Sequence, residues 1–446
     1  MEINTRELIL DILLQIDRDG EPSHMAIGNT LEKYQFLPKT DRAFITRICE
    51  GTMEYRLQLD YIINCFSSVP IRKMKPLIRE IMRFSAYQLK YMDSVPDSAV
   101  VNEAVKLAGK RGFRNLKGFV NGVLRSTARG LDQVTYPEDE IENLSVRYSM
   151  PEYLVRCWCR DYGKEACERM LTAFLETKAT TIRLCVTGQN PQKTLKLLEQ
   201  EGVRIRKAPY VDNAYRIEGY DYLGALESFR MGAFQVQDVS SMLVGCAAGL
   251  KEGDRVLDVC AAPGGKSLHA ADLLQGTGQV ISRDVSDYKV NLIRENVERL
   301  GLTNVQTEVK DAAIYASEDE AGYDVVLTDV PCSGYGVIGK KADIKYTASQ
   351  EKEQELVKLQ RQILSNAAGY VKPGGVLIYS TCTIGRKENQ ENVNWFIEHF
   401  SFEPESLDPY LVEELHSEET KKGCLQLLPG VHDCDGFFLA RLRKQA

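Results

Sequence analysis

The chain has 446 residues, 43% of them hydrophobic and 27% charged, with a formal net charge of −7. This composition is typical of a soluble globular protein, and the length predicts two or three domains. No secretory signal is visible, and apolar stretches such as residues 242–250 are far too short to span a membrane. Twelve cysteines without a disulfide framework predict reduced thiols and a cytoplasmic location.

Although the net charge of the chain is negative, one segment in its first third is basic. Residues 71–130 carry 13 basic and 4 acidic side chains, whereas the whole chain is acidic. Such a segment is typical of proteins that bind phosphate backbones, and a solvated basic surface is an equally good interpretation from charge alone. The candidate phosphate-binding side chains are Arg72, Lys73, Lys110, Arg111, Arg114 and Lys117.

The first 130 residues are predicted to be helical throughout. Asp97 or Ser98 is expected to cap a helix that runs to Leu107, and Gly109 and Gly112 are expected to stop it. Apolar residues recur at helical spacing over residues 1–14, 44–48, 59–66 and 78–89.

A second, smaller region follows. Residues 131–144 are acidic and contain Pro137, which predicts a linker. A helical pattern then extends to residue 174. It is followed by predicted strands at 180–186, 203–207 and 215–217, with a helix at 192–200 and another after 232–241. Residues 145–234 are therefore predicted to form a small α+β subdomain that is similar to RNA-recognition folds.

The last part of the chain, residues 235–446, alternates strands with helices. Predicted strands lie at 255–259, 279–283, 304–308, 324–328, 376–379 and 437–441, and predicted helices at 264–274, 288–300, 349–370 and 391–400. This alternation predicts an α/β domain with a doubly wound, mostly parallel sheet of the Rossmann-like kind.

Two cysteines come directly after apolar runs of this sheet. Cys332 follows the strand at 324–328, and Cys382 follows the strand at 376–379. Because ligands bind at the carboxyl ends of parallel strands, both thiols are expected to face one crevice. A lone cysteine is usually a buried, inert residue, but a pair at two strand ends predicts chemistry.

A glycine-rich turn, residues 258–267, should open on the same crevice. A P-loop requires glycine where Cys260 stands, and the dinucleotide fingerprint is absent. The small residues of this turn allow a ligand to approach the backbone closely. Asp284 lies at the distance expected of an acid that binds ribose, and Asp311 is placed to bind an adenine amino group. A ribose, an adenine and a carboxylate at the helix N-terminus describe S-adenosylmethionine.

A thiol beside a methyl donor suits one reaction in particular. C5 of cytosine is a poor nucleophile, but a thiolate that adds to C6 turns the ring into an enamine whose C5 accepts a methyl group. An acid near N3 assists, since negative charge develops on the ring, and Asp329 is placed for that role. A second thiol or a water would then remove the C5 proton.

Four short segments of the first 130 residues are distinctive. They are residues 41–44, 83–89, 95–105 and 119–125, the last reading Phe-Val-Asn-Gly-Val-Leu-Arg. By these segments, which occur in the family's order, the region resembles NusB-type domains. The resemblance implies an all-helical RNA-binding domain at residues 1–130.

A second set of distinctive segments runs through the remainder of the chain. They are Gln-Asp-Val-Ser-Ser (237–241), Asp-Val-Cys-Ala-Ala-Pro-Gly-Gly-Lys (258–266), Asp-Val-Pro-Cys-Ser-Gly (329–334), Lys-Pro-Gly-Gly (372–375), Ser-Thr-Cys-Thr (380–383), Glu-Asn (388–389) and Asp-Gly-Phe-Phe (435–438). By these segments the region resembles the RNA cytosine-C5 methyltransferases, and specifically the RsmB (Fmu/Sun) family acting on small-subunit rRNA.

This resemblance implies particular roles. Cys382 would be the nucleophile and Cys332 would assist product release. The residues implied to hold S-adenosylmethionine are Cys260, Ala261, Ala262, Pro263, Gly264, Gly265, Lys266, Asp284, Asp311 and Asp329. The implied partner is small-subunit ribosomal RNA, with cytosine 967 of 16S rRNA as the target. We expect a monomer that uses neither a metal nor a membrane.

Three alternatives stay open from the sequence. The enzyme could methylate another RNA. It could be a DNA cytosine-C5 methyltransferase with Cys332 as nucleophile, although the Ser-Thr-Cys segment and the NusB-like domain argue against DNA. It could also be a NusB-like RNA-binding or assembly protein that carries an inactive methyltransferase fold.

Overall fold

The structure is a computed structural model that describes residues 4–446, so the predicted helix start at residues 1–3 lies outside the described part. The chain forms two compact units. The helical unit extends up to Leu175 and also includes Ile338–Thr347. The sheet unit comprises Glu176–Val337 and Ala348–Ala446. The predicted boundaries at residues 130, 144 and 234 stay predictions.

The helical unit confirms the predicted all-helical start of the chain. Its helices are α1 Thr5–Asp19, α2 Ser23–Lys33, α3 Lys39–Glu54, α4 Arg56–Phe66, α5 Pro76–Tyr91, α6 Asp97–Lys110, α7 Lys117–Gly130, α8 Glu140–Arg147, α9 Glu152–Tyr162 and α10 Lys164–Phe174. Helix α8 begins inside the segment that was predicted to be a linker. Within residues 4–446, no helix is both long and apolar enough to cross a membrane.

Helix α6 corrects two details of the prediction. It begins after Pro96, and no side chain of the described residues caps its first turn. It also continues through Gly109 to Lys110. A Cβ placed on Gly109 would lie 3.1 Å from the aliphatic Cδ of Lys117, so this position is tightly packed. Packing against α7 therefore outweighs the low helix propensity of glycine.

Helix α5 lies at the centre of the helical unit and is buried on most of its surface. It carries Arg83, which is 4% exposed and binds both carboxylate oxygens of Asp60 at 2.7 Å. The same guanidinium donates to Glu80 at 2.6 Å. Each buried charge of this cluster thus has a partner of the opposite sign, as burial requires.

The sheet unit begins with a small antiparallel sheet. Its elements are β1 Thr180–Leu184, α11 Pro191–Gln200, β2 Arg204–Lys207, β3 Ala214–Glu218, α12 Glu227–Arg230 and β4 Phe234–Val236. The strand order is β2-β3-β1-β4. Strand β4 was not predicted, because its three residues are too few to show an alternating pattern. Arg183 of β1 is buried against Asp272, whereas the edge strand β2 exposes Arg204 and Arg206.

The large sheet confirms the predicted fold class. The elements are α13 Val239–Ala248, β5 Arg255–Asp258, α14 Gly265–Leu273, β6 Gln279–Asp284, α15 Asp287–Leu300, β7 Val305–Val309, β8 Tyr323–Asp329, α16 Gln350–Tyr370, β9 Val371–Thr381, α17 Gln390–His399, β10 Phe402–Pro404, α18 Glu418–Lys421, β11 Cys424–Leu427 and β12 Phe437–Lys444. The strand order is β10-β12-β9-β8-β5-β6-β7, with β11 paired to β12. Strands β5 to β9 are parallel, and β12 is antiparallel to its neighbours.

The chain order reverses between β5 and β8. Strands β6 and β7 extend the sheet on one side of β5, and β8 and β9 extend it on the other. Such a switch point opens a crevice at the carboxyl ends of the two central strands. Asp258 ends β5 and Asp329 ends β8, so the sequence places an acid on each side of this crevice.

Candidate active site

The turn after β5 is held by the end of β6. The amide of Ala262 donates to Asp284 Oδ2 at 3.0 Å, and the amide of Ala261 donates to the carbonyl of Arg283 at 2.7 Å. Gly264 ends the turn with φ +106°, a conformation that side-chain-bearing residues rarely adopt. No side chain of residues 4–446 caps the helix α14 that follows, so its first amides suit a carboxylate ligand.

Asp258 was not predicted as a site residue, although it begins this turn. Its side chain is 1% exposed, and its Oδ1 accepts only a long hydrogen bond of 3.4 Å from Cys260. Its Oδ2 is buried without a hydrogen-bond partner among the described residues. Burial, reinforced by the charge of Asp329, raises the pKa of Asp258 to about 7. A buried orphan carboxylate oxygen is a position at which a ligand donor is expected.

The predicted ribose and adenine acids lie at neighbouring strand ends. Asp284 is buried, accepts from Val285 N at 2.8 Å and pairs with Lys289 at 3.1 Å. The amide of Lys310, just before Asp311, donates to the Asp284 carbonyl at 3.0 Å. Asp311 itself is exposed, and its Oδ1 accepts from the amide of Ala313 at 2.9 Å.

Two exposed apolar side chains accompany these acids. Val285 is 54% exposed and follows Asp284, and Ile314 is 67% exposed and lies close behind Asp311. Apolar side chains beside hydrogen-bonding acids suit a planar base such as adenine. No signal in the sequence pointed to them, because an apolar residue at the end of a strand is normally part of the core.

Arg283 packs on the other side of β6 from Asp284, as strand alternation requires. It binds Glu308 at 2.7 Å and Asp319 at 2.7 Å. These ion pairs join β6 to β7 and to the segment after it. They fix the strand end that carries Asp284.

Lys266 and Asp329 form an ion pair across the switch point, with Nζ 2.6 Å from Oδ2. The other oxygen of Asp329 accepts from the hydroxyl of Ser380 at 2.8 Å. Burial alone would lower the pKa of Lys266, but the charge of Asp329 outweighs it and raises that pKa. Lys266 thus carries a fixed positive charge at the crevice, beside the end of β8.

The two predicted thiols are brought together. Cys332 Sγ and Cys382 Sγ lie 3.3 Å apart, and none of the twelve cysteines, all of which lie within the described residues, forms a disulfide. Hydrogen bonding to Cys382, and then burial, raise the pKa of Cys332 well above its ordinary value. Cys332 therefore favours its protonated form. Burial and the nearby acids likewise raise the pKa of the Cys260 thiol.

A buried carboxylate, Glu388, joins the loops that carry the thiols. Its Oε2 accepts from the amide of Ser333 at 2.9 Å and from Gln360 at 2.8 Å, and its Oε1 accepts from the hydroxyl of Ser333. Gln360 also donates to the carbonyl of Pro331 at 2.9 Å. The hydroxyls of Ser333 and Thr383 lie 2.7 Å apart. Cys332 and Cys382 are thus each flanked by a residue of this network.

Asn389 holds the loop that carries Cys382 through two hydrogen bonds. Its Oδ1 accepts from the hydroxyl of Thr381 at 2.6 Å, and its Nδ2 donates to the carbonyl of Thr383 at 3.0 Å. The residues before and after Cys382 are therefore both held. The sequence singled out residues 388–389 by resemblance alone and assigned them no role, since they come several residues after the thiol.

The acids around the turn after β5 and the paired thiols at two further strand ends define a class of enzyme. A Rossmann-like sheet with these features, joined in one chain to an all-helical unit, is what the resemblance to methyltransferases that act on RNA predicts.

Comparison with known proteins gives the family. The profile described as "16S rRNA methyltransferase RsmB/F" matches residues 246–443, and that of the "NusB family" matches residues 3–129. A protein of Bacillus subtilis (strain 168) described as "Probable ribosomal RNA small subunit methyltransferase B" is 37% identical over 447 residues, covering 99% of each chain. The chain belongs to this family of small-subunit ribosomal RNA methyltransferases, which confirms the resemblance.

Solved structures agree with the fold. The crystal structure of PH0851 matches with a TM-score of 0.83 at 25% identity and covers 100% of both chains. A methyltransferase homolog protein from Pyrococcus horikoshii matches with a TM-score of 0.60 at 26% identity, covering 69% of this chain and 100% of its own.

The buried Oδ2 of Asp258, which has no hydrogen-bond partner among the described residues, should make the stability of the protein depend on pH. Its native pKa of about 7 exceeds the ordinary value of 3.8, so the folded protein binds this proton more tightly than the unfolded chain. The resulting stability is present below about pH 4 and is lost as the pH rises through about 7. We therefore expect Asp258→Asn to raise the free energy of unfolding at pH 8 by roughly 2–4 kcal/mol.

The increase in the free energy of unfolding of Asp258→Asn should become smaller towards pH 5. Urea unfolding of the ligand-free protein measures it. The same variant should bind S-adenosylmethionine about tenfold more weakly or worse in calorimetry, because a charged acceptor is removed. Glu252→Gln, at an exposed position, is the control and should change neither quantity. Lower stability of Asp258→Asn at pH 8 would contradict the prediction.

Proposed function

We propose that the protein methylates C5 of a cytosine in 16S ribosomal RNA, with S-adenosylmethionine as donor and a covalent Cys382–C6 bond as intermediate. We propose cytosine 967, the position that the family resemblance implies, as the target. The observation that carries the proposal is the pair of thiols 3.3 Å apart beside the switch-point crevice. Two sulfur atoms this close can both reach one base.

The residues around the turn after β5 fit S-adenosylmethionine. Asp258 offers a buried oxygen that is unpaired among the described residues and suits a cationic donor, and the N-terminus of α14 suits a carboxylate. Asp284 retains acceptor capacity for ribose hydroxyls, since a carboxylate has about four lone-pair sites. Asp311, with the exposed Val285 and Ile314, would bind the adenine. S-adenosylmethionine, when bound, supplies a methyl group on its sulfonium.

In the proposed first step, Cys382 adds as a thiolate to C6 of the cytosine. The S–C6 bond forms, and the electron pair of the C5–C6 double bond moves into the ring, so that C5 becomes nucleophilic and negative charge develops towards N3. The Lys266 ammonium, held by Asp329 at 2.6 Å, is a fixed charge in this region of the crevice. We assign the stabilisation of that charge to the Lys266 ammonium, which Asp329 holds in place.

In the last step, the C5 proton must leave and the Cys382 sulfur must be expelled. We assign the proton removal to Cys332, whose sulfur lies 3.3 Å from that of Cys382. Cys332 first passes its own proton to water and then, as a thiolate, takes the C5 proton. The electron pair of that C–H bond re-forms the C5–C6 double bond as the S–C6 bond breaks, and Cys382 leaves as a thiolate.

We propose that the helical unit binds RNA. Two of the predicted phosphate-binding side chains form ion pairs within that unit. Lys110 pairs with Glu7, and Arg111 pairs with Asp11 at 2.6 Å. Both basic side chains are thus partly neutralised within the unit. The exposed members of the predicted set that remain are Arg72, Lys73, Arg114 and Lys117.

Substitution of each thiol separates the two proposed roles. Cys382→Ala should abolish methyl transfer and leave the affinity for S-adenosylmethionine unchanged, because the thiol acts on the base. Cys332→Ala should methylate once and stall, since elimination is impaired, and leave RNA covalently attached through Cys382. Denaturing gels with labelled RNA detect the adduct. An adduct in Cys382→Ala and none in Cys332→Ala would exchange the two roles.

Removal of exposed basic side chains tests whether the helical unit binds RNA through them. The double variant Arg114→Gln/Lys117→Gln should bind 16S rRNA more weakly, and the slope of log affinity against log salt should fall by about 0.7–0.9 for each phosphate that is no longer neutralised. The matched control is Lys110→Gln/Arg111→Gln, which removes the same charge from ion-paired positions and should change the slope less. Equal slopes in the wild type and the first variant would assign RNA binding elsewhere.

Bisulfite sequencing of ribosomal RNA tests the proposed function itself. A strain that lacks the protein should lose one 5-methylcytosine of 16S rRNA, and the wild-type gene, but not Cys382→Ala, should restore it. Loss at a position other than cytosine 967 would correct the target. If every 5-methylcytosine of the ribosomal RNA remains, the substrate is another RNA or the fold is inactive. Methyl transfer to cellular RNA in vitro distinguishes these two.

A further inference from the structure

Gln237 belongs to a distinctive segment, residues 237–241, to which the sequence assigned no role. Other residues of this segment build helix α13: the side chain of Asp238 accepts from the amide of Ser240 and caps the helix, and Val239 belongs to the hydrophobic core. Gln237 comes before the helix and is only 6% exposed. Both ends of its buried amide group therefore need partners.

The oxygen of the Gln237 amide has a partner that fixes the orientation of the whole group. Arg183 Nε donates to Gln237 Oε1 at 3.1 Å. An arginine has donors only, so it can bind the oxygen of an amide but not its nitrogen. A flip of the amide would place two donors against each other. Gln237 Nε2 therefore points away from Arg183.

Arg183 is itself held in place. It lies in β1, is 2% exposed, and its Nη1 donates to Asp272 Oδ2 in helix α14. Asp272 also accepts from the amides of Val186 at 3.1 Å and Thr187 at 2.8 Å. The orientation of the Gln237 amide is thus tied to α14, the helix that follows the glycine-rich turn.

The nitrogen of the amide lies beside the start of α14. A Cβ built on Gly265, the first residue of α14, would have Gln237 Nε2 as its nearest neighbour outside the adjoining chain, at 3.9 Å. This is an ordinary contact distance, so glycine leaves a space about the size of a methyl group open between the helix backbone and the amide. Gly265 is half-buried, so a ligand can reach this space.

Gln237 Nε2 has donor capacity left for such a ligand. An amide nitrogen carries two N–H groups. Among residues 4–446, Nε2 donates to Ser241 Oγ over 3.4 Å, which is a long hydrogen bond. A second N–H has no acceptor in this described part of the chain. A nearly buried donor in this state suits an acceptor supplied by a ligand.

The surroundings define the chemistry of that acceptor. No side chain of the described residues caps α14, so its first amides present N–H groups and the positive end of the helix dipole. Lys266, the cation of this first turn, is already paired with Asp329. The space beside Gly265 therefore offers several neutral donors and a partial positive charge, which favour a carboxylate.

We propose that Gln237 Nε2, together with the first amides of α14, binds the carboxylate of the methionine part of S-adenosylmethionine, and that Arg183 orients the amide for this contact. The inference rests on the proposed function, which supplies the ligand. It adds a cofactor-binding residue that precedes β5 and makes β1 of the small sheet part of the support of the cofactor site.

The test compares two ligands that differ only in the carboxylate. They are S-adenosylhomocysteine, which has the same amino-acid part as S-adenosylmethionine, and its decarboxylated analogue, which keeps the adenosine, the sulfur and the amino group. In full-length Gln237→Met, calorimetry should give a Kd for S-adenosylhomocysteine that is about tenfold to a hundredfold higher, because a hydrogen bond to a charged group is lost. The Kd of the analogue should not change.

The matched control is Gln235→Met. Gln235 is also 6% exposed, and its Oε1 also accepts from an arginine, Arg299. The same substitution at this position should leave the Kd of both ligands unchanged.

Two further variants test the orientation of the amide. Gln237→Glu replaces Nε2 by an oxygen at constant size, which places two carboxylates against each other. It should weaken the binding of S-adenosylhomocysteine at least as much as Gln237→Met does and should not weaken that of the analogue. Arg183→Lys keeps the charge beside Asp272 but removes Nε. It should raise the Kd of S-adenosylhomocysteine less than Gln237→Met does and leave that of the analogue unchanged.

The outcomes that overturn the inference differ from those that overturn the proposed function. An equal loss of affinity for both ligands in Gln237→Met would show a purely structural role of Gln237. An unchanged Kd for S-adenosylhomocysteine would place the carboxylate elsewhere. A wild type that binds neither ligand would overturn the proposed function, and this inference with it. Gln237→Glu decides the matter if Gln237→Met does not fold.

Discussion

The buried carboxylate of Glu388 is the interaction on which the reactive part of the molecule depends. This carboxyl group is fully buried, and burial raises its pKa. Its oxygens accept hydrogen bonds from Ser333 and Gln360, which belong to the Cys332 loop and to α16, and a buried polar group requires such partners. Because Glu388 lies just after the Cys382 loop, satisfying one buried carboxyl group brings two distant loops together.

The acidic side of the crevice follows from a different constraint. Parallel strands end at one edge of a sheet, and three of these ends carry Asp258, Asp284 and Asp329. Lys289 and Lys266 each neutralise one of them, whereas Asp258 has no such partner in the described part of the chain and its pKa is raised. The crevice is therefore less stable than a fully paired site would be. Such unrelieved charge is common where a protein binds a ligand.

Much of the secondary structure could be predicted because it depends on local pattern. The strands β5 to β9 and the helices between them lie close to their predicted positions, since apolar runs and turn residues mark them. The errors occur where tertiary contacts outweigh local preference. Helix α6 continues through Gly109 because that residue packs against Lys117, and the short strands β4, β10 and β11 exist only because a longer strand pairs with them. Asp258 and Ile314 were not predicted as candidate site residues for the same reason, since burial and exposure are not visible in a sequence.

The sequence by itself determined the chemistry available to this protein. The order of motifs identified the family, and the residue types at the strand ends supplied the acids and the two thiols. The tertiary structure alone decided how these groups are arranged. The distance of 3.3 Å between two sulfurs from separate strands, the unsatisfied oxygen of Asp258 within residues 4–446 and the placement of Ile338–Thr347 in the helical unit are relations between residues far apart in the chain. Local patterns contain no information about such relations, because they arise only when the whole chain packs and each buried polar group finds its partner.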